Sequence, residues 1–486
     1  NIDGNGLTVS NKDATINSIT VGKGANSQAG NTVLGESALD AAVTGTNNTA
    51  IGKSTLSANT SGNNNTALGK DALTSNTVGF NNTGLGHHAL QSNTGGDYNV
   101  SVGTYALKNS TSNKNTAVGY SALITNTSGS ENVAIGNEAL EVNTTASNNV
   151  AVGHQALHDN TTGTRNTAVG TNALADNTTA NNNNAFGYQA LLLNTTGASN
   201  NAFGKSCLDA NTTGSSNTGM GHNALGDNTT GEDNTAIGCN ALDANTTASH
   251  NVAVGRSALL VNTTGTNLVA VGSGALDANT TANHNTAVGY AALGNNSTGG
   301  NNTGIGRAAL FGNTTASNNT GIGYHALLSN TTGTNLTAVG YNSLDANTTG
   351  SNNTAVGNAT LSSCTTGTNN TAMGHAALAV NVTSSDNTAV GYAALNVNTG
   401  GRHTAVGNDA LATNSSADDN TAVGNEALRL NTTGGFNVAV GSKALDANTT
   451  AGHNTAVGYA ALGANTTATQ NVAVGGSALT SCTTGP

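Results

Sequence analysis

The sequence has no tryptophan, one proline (its last residue), five phenylalanines and four cysteines in 486 residues. Charged residues make up 8%, against about 25% in an ordinary soluble domain. A chain this long would normally fold as two to four globular domains, yet it lacks the aromatic and aliphatic bulk their cores need. Collagen is excluded by the missing proline and the missing Gly-X-Y period. The low charge separates the chain from disordered sequences rich in net charge or in proline and glutamate. No apolar run approaches the ~18 residues of a transmembrane helix, so membrane insertion is not expected. Thirteen Lys+Arg against 24 Asp+Glu leave a formal charge of −11. That is the wrong sign for a nucleic-acid partner.

In place of bulk and charge there is repetition. The glycine of a recurring Asn-Thr-Ala-Val-Gly appears 27 times between Gly35 and Gly475, at intervals of 17 residues except for two of 16. Leucine lies four positions after every one of these glycines, usually preceded by alanine. The residue before each glycine is always apolar, as Ile51, Val118, Phe186 and Met220 show. Asparagine stands four before the glycine in 24 units, the exceptions being Leu268, Leu336 and His403, and seven after it in 23 units. The position directly after the glycine varies freely. Fixed columns beside free ones are what stacked coils produce.

Each unit holds a glycine inside its apolar segment and an Asn-Thr-Thr-Gly turn signal, which leaves no room for a helix. Thr-Ala-Val alternates with the period of a strand, and Ala-Leu reads as a second short extended segment. The expected fold is all-β: a parallel β-solenoid or β-roll of 17-residue coils about 4.8 Å apart, a rod of roughly 130 Å. Residues 1–30 are expected to form an N-terminal cap and residues 31–486 one continuous shaft of 27 repeats. The structural core is assigned to glycine–leucine pairs such as Gly119 and Leu123, Gly170 and Leu174, Gly289 and Leu293, and Gly458 and Leu462. Asn143, Asn160, Asn177, Asn194 and Asn211 fall in one column and are expected to bond into a ladder. Leucine and the apolar residue before glycine are expected to face inward, with alanine turned outward against other chains.

The run Asn-Thr-Ala-Val-Gly-Tyr-x-Ala-Leu-x-x-Asn-Thr-Thr-Gly resembles the repeats of bacteriophage tail fibres and related long structural proteins. It is also similar to the Asn-Ser-Val-Ala-Ile-Gly rungs in the head β-rolls of YadA-like trimeric autotransporter adhesins. The segment from Ser18 to Asn26 resembles the lead-in to such tail-fibre arrays. The 17-residue coil is longer than the adhesin rung, and the repeats run to Gly485 and Pro486 without a chaperone-like domain. The resemblance implies a parallel homotrimer acting as the structural shaft of a viral tail fibre, located in the virion. Its implied partners are itself, other tail or fibre proteins, and a host-surface glycan or receptor met by a distal tip. A bacterial extracellular adhesin or surface filament is the alternative, and an ice- or polysaccharide-binding solenoid a third reading.

Residues able to carry chemistry are scattered. Cys207 and Cys239 lie two units apart, about 10 Å and beyond disulfide reach. Cys364 and Cys482 share a column seven units apart, so the cysteines are expected to be buried free thiols standing in for alanine or asparagine, with contacts between chains as the alternative. His87 and His88, if in a strand, would face opposite sides. His222 and Cys239 offer two ligands without a third. No His-x-His pair, Ser-His-Asp set or nucleotide loop is present. No enzymatic activity, cofactor or metal is expected. Tyr324 and Tyr341 sit on consecutive units, where they can stack and offer a surface contact. The recurrent Asn-x-Thr sequons, as at Asn160 and Asn465, read as ladder and turn residues.

Overall fold

Three extended residues and a glycine that breaks them open every coil. The computed structural model describes residues 13–483 and is a parallel β-solenoid with coils of about 17 residues. Residues 1–12 of the expected cap, and the closing Gly485 and Pro486, lie outside the described residues. Strands β1 (Ala14–Ile16) and β2 (Ile19–Gly22) are antiparallel, and β2 also pairs antiparallel with β3 (Thr32–Gly35). This short meander covers an edge that would otherwise expose a row of unpaired main-chain groups. From β3 to β15 (Thr235–Ile237), and again from β16 (Val252–Val254) to β29 (Val472–Val474), successive strands pair parallel and in register by one repeat. Thr32 lies opposite Thr49, and Thr167, Ala168 and Val169 oppose Asn184, Ala185 and Phe186.

The described residues fall into two compact units, one running to Cys239 and including 245–247, the other comprising 240–244 and the chain from Ala248. Each is built the same way. In the first, strands run from Thr32–Gly35 to Thr235–Ile237; in the second, from Val252–Val254 to Val472–Val474.

Turns complete each coil. Gly52, Ser54, Leu56 and Asn64 all take positive φ, at 127°, 55°, 50° and 56°, and the pattern repeats along the chain. The anchor glycine is required on two counts. Its φ is one that L side chains avoid, and a Cβ on Gly255 would lie 2.6 Å from the carbonyl oxygen of Gly272 in the next coil. The Ala-Leu segment is a turn, which corrects the expected second strand. Ala72 N–H donates to Gly69 C=O at 3.4 Å and Asn76 N–H to Leu73 C=O at 3.1 Å, making two tight turns around a left-handed leucine. That leucine's own N–H donates to the next coil, as Leu73 does to Ala89 C=O at 3.0 Å.

The strand's inner face is the reverse of the one expected. Ala50, Ala117, Ala168 and Ala287 are fully buried, whereas the residue before glycine points outward: Leu68, Ile135, Met220 and Met373 are each at least 40% exposed. The reason is width. Leu123, Leu174, Leu293 and Leu462 already occupy the narrow interior completely buried, and even where the strand's middle residue is Gly84, an added Cβ would lie 3.2 Å from Leu73 Cδ1. From β4 (Thr49–Ile51) onward that position holds only alanine, glycine or serine, and the bulkier member of the alternating pair faces out. Val33 of β3, in the first coil beside the antiparallel meander, is the one larger residue there among the described coils.

Candidate functional site

Two asparagine columns run through the interior. In the turn-side column Asn160 Nδ2 donates to Asn143 Oδ1 at 3.0 Å, Asn177 to Asn160 at 2.8 Å, Asn194 to Asn177 at 3.1 Å and Asn211 to Asn194 at 2.8 Å. In the strand-side column the backbone N–H of Asn65 donates to Asn48 Oδ1 at 3.0 Å. The columns meet at one small residue: Gly62 C=O accepts from Asn48 Nδ2 at 2.9 Å and from Asn59 Nδ2 at 3.1 Å. Each buried amide thus ties its own coil shut and links it to a neighbour, which offsets the cost of burying it.

Exceptions to the columns are informative. His403 takes an asparagine's place: its Nδ1 accepts the backbone N–H of Asn420 at 3.2 Å, so its Nε2–H donates to Ala417 C=O at 2.7 Å. Burial pushes its pKa down, and the neutral tautomer imitates the amide. Cys207 replaces a core alanine and Cys364 a ladder asparagine; both thiols are buried, and burial pushes their pKa values up to about 12 and about 11. Cys239, by contrast, is exposed and Cys482 only half-buried, which corrects the expectation of burial for both; the position of Cys239 beside the anchor glycine is an outer one, and Cys482 lies in the last described coil.

The outer columns carry the available surface. Outward strand residues are threonine or valine, with two asparagines, followed by the apolar column; none of the 27 units places a charge at either position. Phe186 and Phe203 stack within that column, centroids 4.8 Å apart. Tyr324 stacks on Tyr341 at 5.2 Å and on His325 at 3.8 Å, and Arg307 donates to its hydroxyl at 2.9 Å. The threonine column that includes Thr161 turns its hydroxyls along the stack, since Thr161 Oγ1 donates to Thr178 C=O at 2.9 Å.

Among the described residues, two clusters of histidine and carboxylate side chains with ligand atoms within 4.8 Å of one another form where coils meet. His158 Nε2 lies 2.8 Å from Glu141 and its Nδ1 2.6 Å from Asp159, with Glu138 close by. Burial alone would lower the His158 pKa, but hydrogen bonds to Asp159 and Glu141 outweigh it and raise it. The second cluster corrects the reading of His87 and His88. They occupy a turn, not a strand, and their ring centroids are 3.8 Å apart on one side of the coil, next to Asp71. The spacing of 17 between Asp71 and His88, and between Glu141 and His158, is the signal in the sequence that places each pair together.

No helix among the described residues is long and apolar enough to cross a membrane. No protein-family model matches this chain, and a search of curated proteins finds no match either.

Proposed function

We propose that this chain is a structural shaft protein that holds its ends apart and presents a receptor-binding element, as the shaft of a viral tail fibre does. The observation that carries this reading is the pair of buried asparagine ladders. They invest the interior of the described coils in holding the next coil, where buried leucine, alanine and asparagine side chains fill it. The resemblance of the repeat to tail-fibre arrays supports the viral setting over a bacterial surface filament. The Thr161 column does not favour ice binding, because its hydroxyls are engaged along the stack.

The shaft acts as a homo-oligomer, a parallel trimer in the reading taken from the resemblance, assembled through the outward strand face. In the first unit thirteen strands each turn two side chains outward, twenty-six in all, comparable to the ~20–30 residues a side of a stable interface. The face carries no charge, so like copies of a chain with net charge −11 meet there without repulsion. Parallel copies multiply weak contacts at a shared tip through avidity. Electron microscopy and light scattering of the purified chain test both parts. Elongated particles of oligomeric mass are expected; compact particles would remove the shaft, and a stable monomer would remove the assembly.

A further inference from the structure

We propose that Asp71, His87 and His88 form a binding site for a divalent first-row transition metal that clips two successive coils together. One nitrogen from each histidine and one carboxylate oxygen of Asp71 all lie within 4.8 Å of one another. Two imidazoles and a carboxylate are a donor set suited to Zn(II), Co(II) or Ni(II), with positions left open for water. His88 Nδ1, 3.8 Å from Asp71 Oδ2, is buried from solvent yet makes no hydrogen bond. A buried nitrogen without a partner is costly, and a metal ion is the partner this position can accept.

Placement is by the coil. Asp71 and His88 occupy the same left-handed turn position, φ 59° and 57°, one repeat apart, and the Tyr105 ring of the following coil stacks on His88 at 5.5 Å. The imidazole is therefore held from one side while its Nδ1 faces the carboxylate. Lys70 is the competing cation, 3.5 Å from Asp71 Oδ2, but its side chain is 56% exposed and can swing into water. Lys108 lies over the Tyr105 ring at 5.2 Å. The other cluster lacks this opening: both nitrogens of His158 already meet carboxylates.

The test is Zn(II) titration by calorimetry, with Co(II) absorption as a second readout. Variants are His88→Asn and Asp71→Asn, because asparagine tolerates the left-handed turn, and His158→Asn as a control. Expected are one ion per chain, affinity at least tenfold weaker in His88→Asn and Asp71→Asn, and no change in His158→Asn. Hydrogen exchange of both coils should slow when Zn(II) is added. Absence of binding to the wild type, equal binding by His88→Asn, or an intense thiolate-to-Co(II) band marking cysteine ligation would overturn the proposal. Circular dichroism of each variant separates loss of ligand from loss of fold.

Discussion

Cys364 stands one coil beyond Asn347 in the turn-side ladder, where the preceding steps have an asparagine amide donating to the oxygen behind it, Asn330 to Asn313 at 2.9 Å and Asn347 to Asn330 at 2.8 Å, and Asn347 Oδ1 accepts no hydrogen bond. The same relation recurs at Asn465, whose Oδ1 is also without a partner one coil before Cys482. A cysteine in this column interrupts the ladder and leaves a buried acceptor unsatisfied. Such a group costs about 1–3 kcal/mol. Cys364→Asn is expected to recover part of that, read as slower hydrogen exchange in the coils containing Asn347 and Asn381. The converse change, Asn177→Ala, should cost about the same and speed local exchange. Exchange suits a repeat array better than a single melting point, because coils open locally.

The anchor glycine and the turn glycine respond oppositely. Gly289 has φ 134°, and a Cβ there would sit 2.5 Å from Gly306 C=O. Gly289→Ala is expected to lose more than the ~1–3 kcal/mol of conformational strain alone and to create a protease-sensitive point. Gly274 has φ 66°, and a Cβ there would meet only Asp277 Oδ2, at an ordinary contact distance of 3.8 Å, at a position where other coils carry serine, aspartate or asparagine. Gly274→Asn should be neutral or slightly stabilising, since it restricts the unfolded chain without native strain. Limited proteolysis of both variants checks the contrast.

Two histidines make opposite pH predictions. The folded-state pKa of His403 is lowered by burial, so its contribution is fully present above the unfolded value of ~6.5 and is lost as pH falls toward the folded value. His158 is raised by Asp159 and Glu141 against the effect of burial. Its contribution is complete below ~6.5 and is lost as pH rises through the folded value. Exchange measured from pH 5 to 8 should show the coil of His403 loosening toward acid and that of His158 loosening toward base. His403→Asn should abolish the first effect only.

Self-association is expected to fail before folding does when the outward face is charged. Ile305 and Met373 are 37% and 44% exposed, so lysine at either position costs the isolated coil little. Ile305→Lys with Met373→Lys should lower the oligomeric mass in light scattering while leaving circular dichroism unchanged. Ala287→Lys, inside the coil, should instead unfold its surroundings.

Much of this was legible because a period of 17 dictates which residues become neighbours. The leucine column, both asparagine columns and the stacked partners Tyr324 and Tyr341 follow from counting alone, since parallel coils in register bring equivalent positions together. What counting left undecided was direction. An alternation of alanine and valine defines two faces of a strand without saying which is inside, and the narrow interior beside Leu73 and its equivalents chose alanine. Nor does spacing reveal that leucine adopts a left-handed turn, or that His87 and His88 share one side of it. Those outcomes depend on the width of a coil closed around its own side chains and on main-chain bonds to the coils above and below. Only the assembled stack supplies either.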